Sequence, residues 1–191
     1  MLNKEDDKSI ISVPLPEDHD LPQETRDFLK NLPALNVFRM FAHLPQSLPP
    51  FIQLAKSFLE QGKFSPRARE IAILRVAYLT KAPYEWHQHV FLGQTAGITD
   101  EEMEIVCHEN PVRSLNAEEN FICQVADELT LTNHLQDETF KNLFSLYNHA
   151  QGCELILNIG FYNMVSRFLN GTRTPIETTN PLAGLSSPTS G

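Results

Sequence analysis

The chain has 191 residues, of which 41% are hydrophobic and 20% charged, as in a globular protein with room for one sizeable core. A formal net charge of −9, without any run of Lys and Arg, excludes a surface built to bind the phosphate backbone of a nucleic acid. The first residues hold no apolar stretch long enough for a signal peptide or a membrane span, so we expect a cytoplasmic protein without a membrane partner.

The cysteines are few and scattered. Cys107, Cys123 and Cys153 lie far apart, each within an apolar helical pattern. An odd number of cysteines does not make a disulfide framework, and such residues are usually buried as small hydrophobic groups. We therefore expect a reduced protein.

The first part of the chain predicts an arm followed by a helical domain. Residues 1–20 are polar and interrupted by prolines, which is typical of a flexible or wrapping N-terminal arm. From Leu21 the apolar residues recur at helical spacing as far as Gly62, which is a candidate helix end. This pattern is broken at Pro33, Pro45 and the Pro49–Pro50 pair.

Two consecutive helices are predicted next. Ser65 followed by Pro66 is a strong helix start, because the hydroxyl caps the first turn and proline at the first position forfeits no needed N–H. That helix runs to about Leu79. Pro83 opens the second helix, and Gly97 closes it.

Four more helices complete the predicted domain, and capping motifs mark the first two of them. Thr99 with Glu102 forms a capping box, and Asn116 with Glu119 repeats this pattern. The third helix begins at Asp137 and stops near residue 152.

The last helix covers residues 153–170 and is apolar nearly all round, so it needs cover from the core and from a second subunit. Residues 172–191 are rich in Thr, Ser and Pro and predict a C-terminal tail. No alternating strand pattern persists, so we predict an all-α fold with a single domain over residues 21–171.

The candidate chemistry lies on the two helices that start at Pro66 and Pro83. Glu85 and His89 are four residues apart, so their side chains are neighbours on one helix face. A carboxylate there can orient the imidazole and raise its basicity, and the face continues inward through apolar residues. The alternative is a surface pair of minor energetic value.

Glu70 adds a second carboxylate. It lies near the start of the preceding helix, and an antiparallel helix pair brings that region toward His89. The alternative is an exposed Glu that only favours the helix dipole. A metal site is not predicted, because His87 and His89 point about 200° apart on a helix and Glu85 with His89 gives only two ligands.

These residues belong to a longer pattern. The segments REIAILRVA, YEWHQH and AGITDEEM, with the later RFLNGTRTPIE, resemble the carboxymuconolactone decarboxylase and alkylhydroperoxidase D-like family over roughly residues 30–177. The resemblance implies a helical bundle of the alkylhydroperoxidase D-like type. It also implies a homo-oligomer, as a dimer, trimer or hexamer.

The redox members of that family carry a Glu, a Cys-x-x-Cys and a His. The resemblance places their Glu on Glu70 and their His on His89, but their two cysteines fall on Ala82 and Glu85. Hydroperoxide reduction by this route requires a thiolate and a resolving thiol. Peroxidase activity is therefore a disfavoured alternative.

The non-redox branch, typified by 4-carboxymuconolactone decarboxylase, implies cofactor-free loss of CO₂ from a small organic (lactone) acid. His89 would then donate a proton, Glu70 would orient it, and Glu85 would keep the cavity polar. Possible substrate contacts are Tyr84, Trp86 and Arg75, although the first two could be packing residues and Arg75 an exposed arginine. A non-catalytic ligand-binding or assembly protein is the remaining alternative.

Overall fold

A computed structural model of the protein describes residues 11–178. The first ten residues of the predicted arm, and the predicted tail from residue 179 onward, lie outside the described part. Within residues 11–178 the chain forms nine α-helices, a 3-10 turn and no strand, which confirms the all-α prediction. The helices are α1 Gln23–Leu29, α2 Asn36–Phe41, α3 Leu48–Leu59, α4 Pro66–Leu79, α5 Pro83–Thr95, α6 Asp100–His108, α7 Ala117–Thr132, α8 Asp137–Leu146 and α9 His149–Thr172.

Helix α4 is the centre of the bundle. It packs against α5, α6, α7 and α9, and every residue from Ala68 to Ala77 is buried. Its start is the predicted one, since the Ser65 hydroxyl accepts a hydrogen bond from the Ala68 N–H. A helix enclosed on all sides carries its polar side chains into the core.

Helix α5 ends as its sequence predicts. Gly97 has a φ of 86°, in the left-handed region that favours glycine. The N–H groups of Gly97 and Ile98 donate to the carbonyl oxygens of Gln94 and Gly93, which are otherwise unpaired at the end of a helix. This motif fixes the length of the helix that carries Glu85 and His89.

Helices α4 and α9 run parallel and side by side. At one end, the Glu154 carboxylate accepts hydrogen bonds from the N–H groups of Lys63 and Phe64, just before α4. At the other end, the Asn170 side chain donates to the carbonyl oxygens of Thr80 and Lys81, just after α4. These contacts at both ends fix the register of α4 relative to α9.

The prediction for the last two helices is wrong at their boundary. Helix α8 ends at Leu146 and α9 begins at His149, with Gly152 inside α9 rather than between the helices. The cause is a capping box, in which the Asn148 side chain accepts from the Gln151 N–H and the Gln151 side chain accepts from Asn148. Cys153 therefore lies in the second turn of α9 and not at its start.

The second predicted capping box is also incomplete. The Asn116 side chain caps α7 as expected, but the Glu119 carboxylate turns away from it and accepts a hydrogen bond from Arg67 at 2.7 Å.

None of the helices in residues 11–178 combines the length and the hydrophobicity needed to cross a membrane.

Candidate active site

The predicted carboxylate and histidine meet across the α4–α5 pair. The Glu70 Oε2 atom lies 2.6 Å from Nδ1 of His89, and both residues are buried. The Glu85 Oε2 atom lies 3.3 Å from Nε2 of the same ring. His89 is therefore held between two carboxylates, one at each nitrogen.

Helix α9 contributes a tyrosine ring to this site. The ring of Tyr162 packs edge-on against the His89 ring, with the ring centroids 4.9 Å apart. Glu70, Glu85 and His89 are each no more than 6% exposed, so the three titratable groups interact in a medium of low polarity. The sequence does not identify Tyr162, because it lies in an apolar stretch of α9.

The two carboxylates decide the protonation of His89. Burial alone lowers the pKa of a histidine, because it disfavours the cation. The negative charges of Glu70 and Glu85, and their hydrogen bonds to the ring, outweigh burial and raise the pKa of His89 to about 10. His89 is therefore an imidazolium at neutral pH, and its Nδ1–H group donates the short hydrogen bond to the Glu70 carboxylate.

Burial and negative charge also act on Tyr162. Burial raises the pKa of Tyr162 well above its usual value, and the charges of Glu70 and Glu85 add to this effect. Arg69 acts in the opposite direction. The Tyr162 hydroxyl is therefore neutral at any physiological pH.

Arg75 does not belong to this site. Its guanidinium is 1% exposed and binds the Asp127 carboxylate through Nε at 2.5 Å and Nη2 at 2.9 Å. Its Nη1 donates to the carbonyl oxygens of Val106 and Glu109. The expectation of an exposed arginine is wrong, and a guanidinium engaged in this way has no free fork for a substrate carboxylate.

Tyr84 and Trp86 lie in two places other than the contacts of His89. The Tyr84 hydroxyl is buried and donates to the Glu177 carboxylate at 2.5 Å, while it accepts from the Val37 N–H. Gln88, one turn later, donates to the same carboxylate at 2.5 Å. Tyr84 thus ties α5 to the segment after α9, a role that the sequence did not indicate.

Trp86 lies on the outer face of α5. With His87 and Val90 it lines an open groove of about 970 Å³, whose wall also includes Ala82. The described part of this wall does not include Glu70, Glu85 or His89. The groove and the buried site therefore occupy opposite faces of the same helix.

The cysteines and the metal-ligating residues do not form a second centre. Burial raises the pKa of Cys107 to about 11 and that of Cys123 to about 12, which disfavours their thiolates. Cys153 is exposed and free. In the searched range of residues 11–178, no group of three His, Cys, Asp or Glu side chains is arranged to hold a metal ion.

Solved structures share this architecture. A peroxidase-related protein of uncharacterised function from Silicibacter sp. TM1040 matches with a TM-score of 0.73 and 18% identity, over 95% of this chain and 98% of that one. The AhpD core of an alkylhydroperoxidase, a peroxidase-related protein from Ralstonia eutropha JMP134, matches with a TM-score of 0.76 and 15% identity, over 90% and 95%. The chain has the AhpD fold.

A third structure with this fold is a protein of unknown function from Agrobacterium tumefaciens. It matches with a TM-score of 0.62 and 14% identity, over 71% of this chain and 93% of that one. No protein-family model and no curated protein sequence matches the chain. At these identities the likeness extends to the AhpD fold, and the chemistry has to be argued from the site.

Proposed function

We propose that this protein is a cofactor-free acid–base enzyme that removes CO₂ from a small organic acid, as carboxymuconolactone decarboxylases do. The observation that carries the proposal is the buried contact series from Glu70 through His89 to Glu85, with distances of 2.6 and 3.3 Å. A surface pair of minor value would be exposed. A binding module would not need two carboxylates on one histidine, since burying them is costly.

In the proposed reaction each residue has one role. The bond between the substrate carbon and its carboxylate breaks, CO₂ leaves, and the electron pair delocalises into the unsaturated ring as a dienolate. His89 then transfers the proton on Nε2, the nitrogen with the longer contact, to the carbon and becomes a neutral imidazole. Glu70 orients the ring through Nδ1. A proton from solvent then restores the imidazolium, which the negative charge of Glu85 favours.

A thiol peroxidase is the alternative that the descriptions of two neighbours suggest, since both are called peroxidase-related. In this chain the two positions that the resemblance assigns to cysteine hold Ala82 and Glu85. The buried Cys107 and Cys123 have raised pKa values, and hydroperoxide reduction begins from a thiolate. The chemistry of the site thus favours proton transfer.

The proposed enzyme acts in the cytoplasm as a homo-oligomer, in keeping with its composition and with the apolar surface of α9. Its substrate is small because the reacting groups are almost fully enclosed. Neither a metal nor an organic cofactor enters the proposed steps.

The test is the release of CO₂ from 4-carboxymuconolactone and related lactone acids by the purified protein and two variants. His89→Gln should lower kcat by about 10²-fold or more, because the general acid is lost while the volume of the side chain is roughly kept. Glu70→Gln should lower it less, since the amide still contacts Nδ1.

A matched control is available on the surface. Glu104 and His108 are also four residues apart, with a contact of 3.1 Å, but His108 is 67% exposed. His108→Gln should leave kcat unchanged. Equal rates for His89→Gln and His108→Gln, with both variants folded, would rule out His89 as the acid.

A further inference from the structure

One buried cation beside the site forms no ion pair with another residue of the described range 11–178. Arg69 is 3% exposed, and its Nε has no hydrogen-bond partner among the described residues. Its contact through Nη1 is a long one, 3.5 Å to the carbonyl oxygen of Phe58. Buried guanidinium groups are normally paired with carboxylates, as Arg75 is with Asp127, because an unpaired buried charge is costly.

A second buried polar atom without a partner among the described residues lies near the level of Arg69 in the bundle. The Oδ1 atom of Asn158 on α9 is buried and has no hydrogen-bond partner within the described range. The contacts that fix the register of α4 and α9 join residues 91 apart at one end and 90 apart at the other. Because the helices are parallel and share one rise per residue, this register places Arg69 level with Ile159, so Asn158 lies about one residue from the level of Arg69 along the bundle.

Both residues border the proposed active site. Arg69 precedes Glu70 on α4, and Asn158 lies one turn before Tyr162 on α9, whose ring packs on His89. Phe161, the neighbour of Tyr162, packs against the ring of Phe58, which also supplies the carbonyl contact of Arg69. The positive charge of Arg69 acts to lower the pKa of the Tyr162 hydroxyl, against the larger effect of burial.

We propose that Arg69, with Asn158 near its level in the bundle, binds the carboxylate of a small organic acid next to His89. This assignment rests on the proposed function for its substrate class. A carboxylate would supply the acceptor that Arg69 Nε lacks, and a hydroxyl or protonated oxygen of the same ligand would supply a donor for Asn158. The acid to be decarboxylated would thus be anchored within reach of the proton donor.

Two alternatives to a bound carboxylate, a water molecule or no ligand at all, predict different results. A water molecule would satisfy two neutral polar atoms but would leave the cation without a counter-ion. Alternatively, Arg69 balances the charges of Glu70 and Glu85 at a distance and binds no ligand. In either case the protein would have no preference for a carboxylate over an uncharged molecule of the same shape.

The experiment is a calorimetric titration of the whole protein with 2-furoate, a ring carboxylate, and with 2-furamide, its uncharged counterpart. We expect 2-furoate to bind at least about tenfold more tightly than 2-furamide and to shift the NMR signals of the His89 ring. Arg69→Met should weaken 2-furoate binding by about tenfold or more, because it removes a charge-assisted hydrogen bond. Arg113→Met, which removes an exposed positive charge, should have no effect.

Two further variants decide the matter if Arg69→Met does not fold. Arg69→Lys keeps the charge without the planar fork and should weaken binding of 2-furoate by a smaller factor. Asn158→Asp adds a carboxylate close to the level of Arg69, so under the proposal it should raise the melting temperature and abolish 2-furoate binding.

The inference is overturned if the wild type does not bind 2-furoate, if 2-furamide binds equally well, or if Asn158→Asp binds 2-furoate as the wild type does. Binding is measured without turnover, so its outcome is separate from that of the decarboxylation assay. If His89→Gln loses kcat but the wild type does not bind 2-furoate, only the carboxylate-binding role of Arg69 is contradicted. Binding of 2-furoate by a protein that decarboxylates nothing would contradict the proposed reaction alone.

Discussion

Glu70 and His89 are 19 positions apart in the chain, yet their side chains meet at 2.6 Å in the interior of the bundle. Glu85, four residues before His89, closes the contact from the other side at 3.3 Å. Two carboxylates around one imidazole favour its cation, because each attracts the charge and accepts one of its two N–H groups. The stability and the chemistry of the protein are therefore linked through the protonation of His89.

Stability should fall as the pH rises from 6.5 to about 10. The pKa of His89 is about 10 in the folded protein and 6.5 for an ordinary histidine, so in this window the folded state holds more protons than the unfolded state. The stabilisation is complete below pH 6.5 and is lost by about 1.4 kcal/mol per pH unit for one proton. Urea unfolding at several pH values should show this slope in the wild type and in His108→Gln, but not in His89→Gln. Identical slopes in all three would contradict the ionised cluster.

The protein should not reduce hydroperoxides with a dithiol. Cys107 and Cys123 are buried, and only Cys153 is exposed among the three cysteines. Cys153→Ser should therefore change neither the slow background consumption of peroxide nor the decarboxylation rate. Rapid dithiol-dependent turnover that disappears in Cys153→Ser would instead establish a thiol peroxidase.

Arg75 should be a stability residue and not a substrate contact. Arg75→Met leaves the partly buried Asp127 carboxylate without its bidentate partner and should lower the free energy of unfolding by about 3–5 kcal/mol. Arg113→Met at an exposed position should stay within about 0.5 kcal/mol of the wild type. A loss of activity in a fully stable Arg75→Met protein would restore the role of a carboxylate clamp.

The oligomer prediction concerns the outer face of α9. Leu157 and Met164 lie two turns apart on this helix and are each 44% exposed, which leaves an apolar stripe uncovered. The protein should therefore sediment as a species larger than the 21.7 kDa of one chain. Replacement of both residues by Glu should release monomers, whereas Leu131→Glu on α7 should not. A wild-type monomer at micromolar concentration would show that the stripe is not an interface.

The sequence predicts those parts of the fold that depend on neighbours along the chain. Ser65 with Pro66 and the Gly97 turn set the limits of α4 and α5 through contacts within a few residues. The predicted boundary between α8 and α9 is wrong because a glycine such as Gly152 can end a helix but here lies inside one. The Asn148–Gln151 capping box would have shown where α9 begins.

The site is predictable only in part, for a physical reason. Glu70, Glu85 and His89 are polar residues with regular spacing on two adjacent helices, so their meeting follows from the hairpin. The surroundings of Arg75 depend on Asp127, 52 positions away, and those of Tyr84 depend on Glu177, 93 positions away. Local pattern carries no information about which distant carboxylate a buried donor will find.

The protonation state of His89 at neutral pH tests the central claim most directly. In ¹⁵N-labelled protein at pH 7.5, both ring nitrogens of His89 should carry protons, and the ring should remain an imidazolium until the pH approaches 10. Glu70→Gln should lower this pKa, because it removes one of the two negative charges. A neutral His89 ring at pH 7.5, with a pKa at or below 6.5, would contradict the buried acid–base centre.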